Sequence, residues 1–190
     1  MSEFLFYSTI LFLIAVSVYV LVLSLIAIYF MISSCFMHYA PPVPSSGPLK
    51  DKVLEDICRY LQAAENITFM DLGSGWGTLL IPLAKKFPQH RFIGIERAFL
   101  PYLLSKLRSG KLKNLTFLRG DIFDADISRA DVVYCFLMQR LMDDLTPYLK
   151  QNLRKGALVY SCRFTCPDWQ PEKTVSLGST YETYYVYKKD

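Results

Sequence analysis

From Phe4 to Leu49 the chain contains no Lys, Arg, Asp or Glu, although its 190 residues include 21 basic and 17 acidic side chains. That absence excludes a solvated globular surface for the first fifty residues and assigns them a different solvent from the rest. Within the uncharged stretch, Phe4 to Ile32 is a continuous run of 29 Leu, Ile, Val, Phe, Tyr, Ala, Ser, Thr and Met residues. About 20 apolar residues suffice to cross roughly 30 Å of hydrocarbon. A cleaved signal peptide fits poorly: the basic n-region is missing, the apolar core is too long and no small-x-small site ends it. A retained single-pass anchor is expected. All 21 Lys and Arg follow the run, against 16 of the 17 acids, Glu3 being the exception. Basic residues on that side orient the C-terminal part toward the cytoplasm or an equivalent interior compartment.

Histidine is scarce as well, with two in the chain, and the five cysteines (Cys35, Cys58, Cys135, Cys162 and Cys166) are odd in number and form no C-x-x-C pair. Zinc ligation needs a denser set of ligands, so no metal site is expected and the cysteines read as free thiols of a reducing compartment. No internal repeat is present. The one biased tract is Ala40 to Pro48, APPVPSSGP, where three prolines in four residues forbid helix continuation and read as a stiff linker.

Beyond the linker the pattern alternates. A helix is expected from Pro48, capped by Ser45 or Ser46, with Leu54, Ile57 and Leu61 on one face. ITFMDL (67–72), RFIGIE (91–96), LTFL (115–118), DVVYCFL (131–137) and ALVYSCRF (157–164) read as buried strands. Helical patterns separate them at 78–87, 99–109 and 139–155, the last kinked or divided by Pro147. TVSL (174–177) and TYYVYKK (183–189) read as a terminal antiparallel hairpin. Repeated β-α units imply a parallel sheet with helices on both faces.

DLGSGWG, Asp71 to Gly77, falls where the first strand gives way to a helix. Glycines there let backbone approach a ligand closely, and the helix N-terminus adds a positive dipole end. The spacing is G-x-G-x-G, unlike the G-x-G-x-x-G of dinucleotide binders. Alone, such a loop is equally a tight strand–helix turn. Glu96 closes the second strand, where a carboxylate can accept both ribose hydroxyls of a nucleoside. Asp121, in RGDIF after the third strand, can accept from an adenine amino group. Three acids at the carboxyl ends of neighbouring parallel strands lie where open α/β sheets bind ligands. Asp71, Gly73, Ser74, Gly75, Gly77, Glu96, Asp121 and Ile122 are the candidate cofactor residues.

Residues 71–77, 96 and 121 resemble the class I S-adenosylmethionine-dependent methyltransferases. More narrowly, the chain is similar to the small membrane-anchored lysine methyltransferases, the ATP synthase c-subunit lysine methyltransferase family and its prokaryotic relatives. PPVPSS (41–46), DLGSGWG, MQRLMDDLTPYLKQNL (138–153) and YSCRFTCPDWQP (160–171) carry that match. The resemblance implies an α/β, Rossmann-like seven-stranded sheet, mostly parallel with a C-terminal antiparallel hairpin, preceded by one transmembrane helix. It implies residues 1–39 as anchor, 40–48 as linker and 49–190 as the methyltransferase domain. It also implies S-adenosyl-L-methionine as cofactor and lysine on a membrane-associated protein as substrate. The chain departs from the family at Trp76, where an acid is usual, at Thr78, where a base is usual, and at ERAFL (96–100), which lacks the common Asn.

A lysine ammonium has no lone pair, with a reference pKa near 10.4, and desolvation in an apolar, aromatic pocket lowers that value. Tyr134, Phe136, Gln139, Phe164 and Trp169 lie at or after strand ends and can line such a pocket. Arg163 either pairs with an acid there or contacts substrate. Tyr134, Gln139, Arg163 and Trp169 are the candidate substrate residues. No general base is evident, and the N-P-P-Y pattern of adenine and glutamine methyltransferases is absent after Asp131. Two other readings stay open: a small-molecule or lipid methyltransferase, and a non-catalytic cofactor-binding assembly factor. The mild, diffuse positive charge after the apolar run gives no support to a nucleic-acid partner.

Overall fold

The computed structural model describes residues 2–36, 47–179 and 182–190. The chain separates into two compact units, Met1–Pro41 and Pro42–Asp190. The first is one helix, α1 (Ser2–Phe36). Its segment Phe6–Met31, 26 residues, is long and apolar enough to cross a membrane by length and composition. At 1.5 Å per residue it extends about 39 Å, more than the hydrocarbon thickness.

The second unit begins with α2 (Pro48–Ala63), which buries Leu49, Val53, Ile57 and Leu61 at an i, i+4 spacing. Leu54, expected on that stripe, packs at its edge, partly buried. The expected caps Ser45 and Ser46 lie outside the described residues. Gly47 holds the N-cap position with φ 98° and no side-chain cap, and Pro48 supplies the preset φ of the first turn.

β1 (Thr68–Leu72), α3 (Leu80–Lys86), β2 (Arg91–Glu96), α4 (Phe99–Ser109), β3 (Leu115–Arg119), a 3₁₀ turn (Ile122–Asp124), β4 (Val132–Cys135), α5 (Gln139–Asn152) and β5 (Leu158–Cys162) follow, then β6 (Lys173–Ser176) and β7 (Thr183–Lys188). The seven strands form one sheet in the order β3-β2-β1-β4-β5-β7-β6. The first five are mutually parallel, and β7 is antiparallel to both β5 and β6. The sheet is thus the seven-stranded, mostly parallel arrangement anticipated. β7 takes the inner position because Tyr184, Val186 and Tyr187 are buried, while β6, with Lys173 exposed, forms the edge.

α2 and α3 cover one sheet face, packing on Phe69, Phe92, Phe117, Val132, Tyr134 and Tyr160. Strand alternation turns Met70, Val133 and Val159 to the opposite face, the side on which α5 buries Leu141, Met142, Leu145 and Leu149.

Most elements differ from the sequence reading by a residue or more at an end, and three differences have a local cause. α5 runs through Pro147 as one element. Proline costs it the bond to the Asp143 carbonyl, but the buried residues on both sides of Pro147 hold the helix together. α3 starts at Leu80 rather than Thr78, because the residues after Gly77 (φ 70°) are still in a turn. β4 ends at Cys135 rather than Leu137. Its neighbour β1 stops at Leu72, opposite Cys135, and the next two amides of that chain, Gly73 and Ser74, both donate to Ile95 O at 2.9 Å. Phe136, Leu137 and Met138 therefore leave the sheet unpaired.

Gly94 sits in β2 where a Cβ would stand 2.6 Å from the Phe117 ring and 2.7 Å from Ser74 Oγ. Gly94→Ala is expected to lower stability by about 1–3 kcal/mol through overpacking. A thermal melt equal to wild type would refute that close approach.

Candidate cofactor and substrate site

The chain leaves β1 toward one edge of the sheet and β4 toward the other, so the strand order reverses between these two central strands. The crevice at their carboxyl ends is the place where such sheets bind ligands. Asp71, in register with Gly94 and Tyr134, lies at that end of β1 and is buried, 3% exposed. Burial, with Glu96 nearby as a second cause, pushes its carboxyl up to about 8. Glu96 is itself buried, and its pKa is raised by that burial against the opposing pull of backbone N–H donors.

Glu96 does more than the sequence implied. Its Oε2 accepts from Gly75 N at 2.8 Å and its Oε1 from Ala98 N at 2.7 Å. The carboxylate therefore ties the glycine loop to the start of α4, leaving the outer lone pairs for a ligand. Gly73, Gly75 and Gly77 all have positive φ, at 85°, 51° and 70°. At Gly77 a Cβ would meet Phe117 at 2.7 Å, and at Gly73 it would meet Leu137 at 2.8 Å. Both positions therefore require glycine for space as well as torsion.

Ser74 Oγ is buried with no hydrogen-bond partner. A buried hydroxyl without a partner costs free energy unless a ligand or water satisfies it. Asp121 caps the 3₁₀ turn through Phe123 N at 3.2 Å, and its other oxygen lies 3.3 Å from Arg97. Ile122 beside it is buried. The eight candidate cofactor residues thus cluster at the carboxyl ends of β1, β2 and β3. The arrangement fits a nucleoside cofactor: two carboxylates with free lone pairs, a glycine cradle and an unsatisfied hydroxyl. Arg97 and Ala98 were missed in the sequence because an ion pair and a backbone donor leave no spacing signature.

The four candidate substrate residues do not form one pocket. Tyr134 is a core residue, 4% exposed, its hydroxyl hydrogen-bonded with Cys162, and burial holds its phenol well above the ordinary range. Gln139 and Arg163 do stand at the crevice end, after β4 and β5. Gln139 accepts from Thr165 N at 3.2 Å and donates to Thr165 O at 3.1 Å and to Asp143 Oδ1 at 2.7 Å. It clamps the segment after β5. Arg163 pairs with no acid among the described residues, and its guanidinium carbon lies 5.0 Å from the Phe136 ring centre. Trp169 lies elsewhere. It packs on Tyr187 at 5.4 Å with Lys150 Nζ 5.9 Å from its ring. Tyr187 pairs with Val159, near the start of β5, and Lys150 is about 16 Å along α5 from Gln139 at 1.5 Å per residue. Its aromatic surface is used to hold the returning loop. In its place Phe136, Leu137 and Met138 border the crevice, since they leave the sheet beside Gly73.

The four cysteines whose side chains are described are free, and burial pushes the Cys162 and Cys166 thiols up to about 12 and 11. Among the described residues no group of three or more His, Cys, Asp or Glu is placed to hold a metal ion.

Fold and crevice together define the class of S-adenosylmethionine-dependent methyltransferases. An RNA methyltransferase from Salinibacter ruber, solved with S-adenosyl-L-homocysteine bound, superposes with a TM-score of 0.66 at 30% identity, over 77% of this chain and 93% of that one. Residues 71–173 match the family described as the ANTKMT methyltransferase domain, and the chain belongs to that family. A protein-lysine N-methyltransferase of Saccharolobus islandicus is 29% identical over 156 residues, 80% of this chain and 96% of that protein. The ATP synthase c-subunit lysine N-methyltransferase of Caenorhabditis elegans is 28% identical over 155 residues, 75% of this chain and 79% of that one. The mouse protein of the same name is 29% identical, and this chain spans 56% of its length.

Proposed function

We propose that this methyltransferase acts on lysine side chains of a membrane-associated protein, with residues 1–39 as anchor, 40–48 as linker and 49–190 as a catalytic domain facing the cytoplasm. The likeness to a protein-lysine N-methyltransferase over 96% of that protein's length carries the lysine reading. The apolar segment Phe6–Met31 supports the anchor. Ala40 to Pro48 is nine residues, a reach of about 28 Å even if extended as polyproline. A tether of that length confines the domain to targets near the bilayer surface and raises their effective concentration.

In this reading Glu96 accepts from the ribose hydroxyls and Asp121 from the adenine amino group. Ile122 packs beside the base. Ser74 and the loop Gly73–Gly77 hold the amino-acid portion near Asp71. The sulfonium of the bound cofactor supplies an electrophilic methyl group. What remains for the protein is to align a neutral amine with it and to exclude water. Phe136, Leu137 and Met138 supply the apolar mouth, and Gln139 fixes the segment 163–166 that borders it.

The Salinibacter relative favours a second reading, RNA methylation. One experiment separates the readings. Full-length protein with methyl-labelled cofactor is incubated with host membranes and, separately, with host RNA. Label is expected as methyl-lysine after acid hydrolysis of membrane protein. Label recovered only in RNA, or only in organic-extractable lipid, overturns the lysine assignment. Deleting the anchor is expected to reduce labelling of that protein at least tenfold in cells, a lower bound set beneath the roughly 10²–10⁴-fold gain that tethering can give. Equal labelling would remove the tethering argument and leave the chemistry standing.

A further inference from the structure

Arg163 has a left-handed backbone, φ 71°, which few residues other than glycine, asparagine and aspartate adopt. Such a torsion persists only where its surroundings impose it, and here each neighbouring residue is tied down. Arg163 N donates to Thr183 O at 2.8 Å, and Phe164 O accepts from Ser161 Oγ at 2.7 Å. Thr165 is clamped on both sides by Gln139, and Cys166 N donates to the Tyr187 hydroxyl at 2.9 Å. The Arg163 side chain is exposed, and from this fixed backbone its guanidinium carbon lies 5.0 Å from the Phe136 ring centre, without an acidic partner among the described residues. Phe136 follows Cys135, which is in register with Leu72 of β1 and Ser161 of β5. Its successor Leu137 packs where a Gly73 Cβ would be. The cation therefore stands at the mouth of the crevice, its backbone one residue beyond β5.

Lysine methylation needs an unprotonated amine, and among the described residues the crevice has no histidine and no evident general base. A like charge nearby favours the neutral form of an amine, an established way of activating a lysine in an apolar pocket. We propose that Arg163, held on Phe136, places a permanent positive charge beside the seated substrate lysine, so that the amine releases its proton to solvent without a general base. The free pair on nitrogen then bonds to the methyl carbon as the carbon–sulfur bond breaks. The bonding electrons stay on sulfur, and the positive charge passes from sulfur to nitrogen. Guanidinium suits this role because it keeps its own proton at every working pH. The inference rests on the lysine reading above.

Other titratable and charged groups lie on the surrounding elements. Tyr134 and Cys135 on β4 and Cys162 on β5 are driven upward by burial and stay neutral near pH 8. Asp143 on α5 is engaged by Gln139. Arg140 follows Gln139 on α5, and Glu182 and Tyr185 lie before and on β7. The Asp71 carboxyl on β1 is pushed up to about 8 by burial, so the profile is measured at saturating cofactor, where a nearby positive charge would favour its ionised form.

The test compares full-length wild type, Arg163→Gln and Arg163→Lys on host membranes with labelled S-adenosylmethionine, reading methyl-lysine from pH 6 to 10.5. Two unit charges about 6 Å apart near a protein surface change a pKa by roughly two units. The midpoint of the rise in rate is expected to move up by one to two pH units in Arg163→Gln, with activity falling 10- to 100-fold at pH 7 and recovering near pH 10. Arg163→Lys is expected to keep the wild-type midpoint. Cofactor affinity, measured by calorimetry, should be equal in all three proteins. A uniform fall in rate with the midpoint unchanged overturns the proposal, as does an equal shift in Arg163→Lys or a loss of cofactor affinity in Arg163→Gln. Label absent from methyl-lysine in the wild type overturns the lysine reading itself, a distinguishable result.

Discussion

Asp71→Asn is expected to raise the melting temperature of the cofactor-free protein at pH 8 while abolishing its affinity for S-adenosylmethionine. The Asp71 carboxyl is 3% exposed and pushed up to about 8 by burial and by Glu96. The unfolded chain releases this proton near the ordinary value of 3.8. Between those values the folded state binds more protons than the unfolded one, so stability falls as pH rises from about 4 to about 8. Asn keeps the shape and removes the buried charge. The gain at pH 8 is of the order of 3 kcal/mol after relaxation of the site, or roughly 6–12 °C in a domain of this size. It should shrink toward zero as pH falls to 4. Binding runs the other way. A cationic cofactor favours the ionised carboxylate, so wild-type binding should release a proton and tighten with pH until about 8. Melts across the pH range, with calorimetry in two buffers of different ionisation enthalpy, check both halves. A variant that binds cofactor like wild type, or a stability difference independent of pH, would remove Asp71 from the role given to it.

Glu96→Ala should damage cofactor binding and the fold together. It removes the proposed ribose acceptor and, at the same time, the partner of two backbone donors, Gly75 N and Ala98 N. A lost charge-assisted hydrogen bond costs about 1.5–3 kcal/mol, or 10- to 150-fold in affinity. Each buried N–H left unpaired adds about 1–3 kcal/mol of destabilisation. Affinity is expected to fall by more than about 100-fold and the melting temperature by several degrees. Glu96→Gln, which keeps one acceptor oxygen, should fall between. Calorimetry showing Glu96→Ala within threefold of wild type would mean that the loop is ordered without Glu96 and that the ribose is held elsewhere.

Much of the fold was legible in sequence because its signals are local. RFIGIE and FLPYLLSKLRS match β2 and α4 residue for residue: both are continuous periodic runs bounded by charge, Gly or Pro. The candidate cofactor residues were legible for a related reason. Asp71, the glycines, Glu96 and Asp121 all follow strands, and parallel strands joined by short crossovers bring their carboxyl ends to one edge. The substrate side was less so. Tyr134 and Trp169 share residue type with pocket-lining aromatics, and only the sheet register shows that one lies in the core and the other toward the start of β5.

By itself, then, the sequence determined which segment is apolar enough to cross a membrane, which runs alternate as strand and helix, and where a glycine loop is followed by acids. These are properties of composition, period and chain order, readable along the chain without knowing which distant segments touch. Tertiary structure decided that Glu96 binds the loop as well as facing the crevice and that β7 lies inside β6. It also decided that Gln139 clamps Thr165 and that Arg163 rests on Phe136. Each of those contacts joins residues between 7 and 30 positions apart, and hydrogen-bond geometry and burial between distant segments leave no periodic trace in the chain.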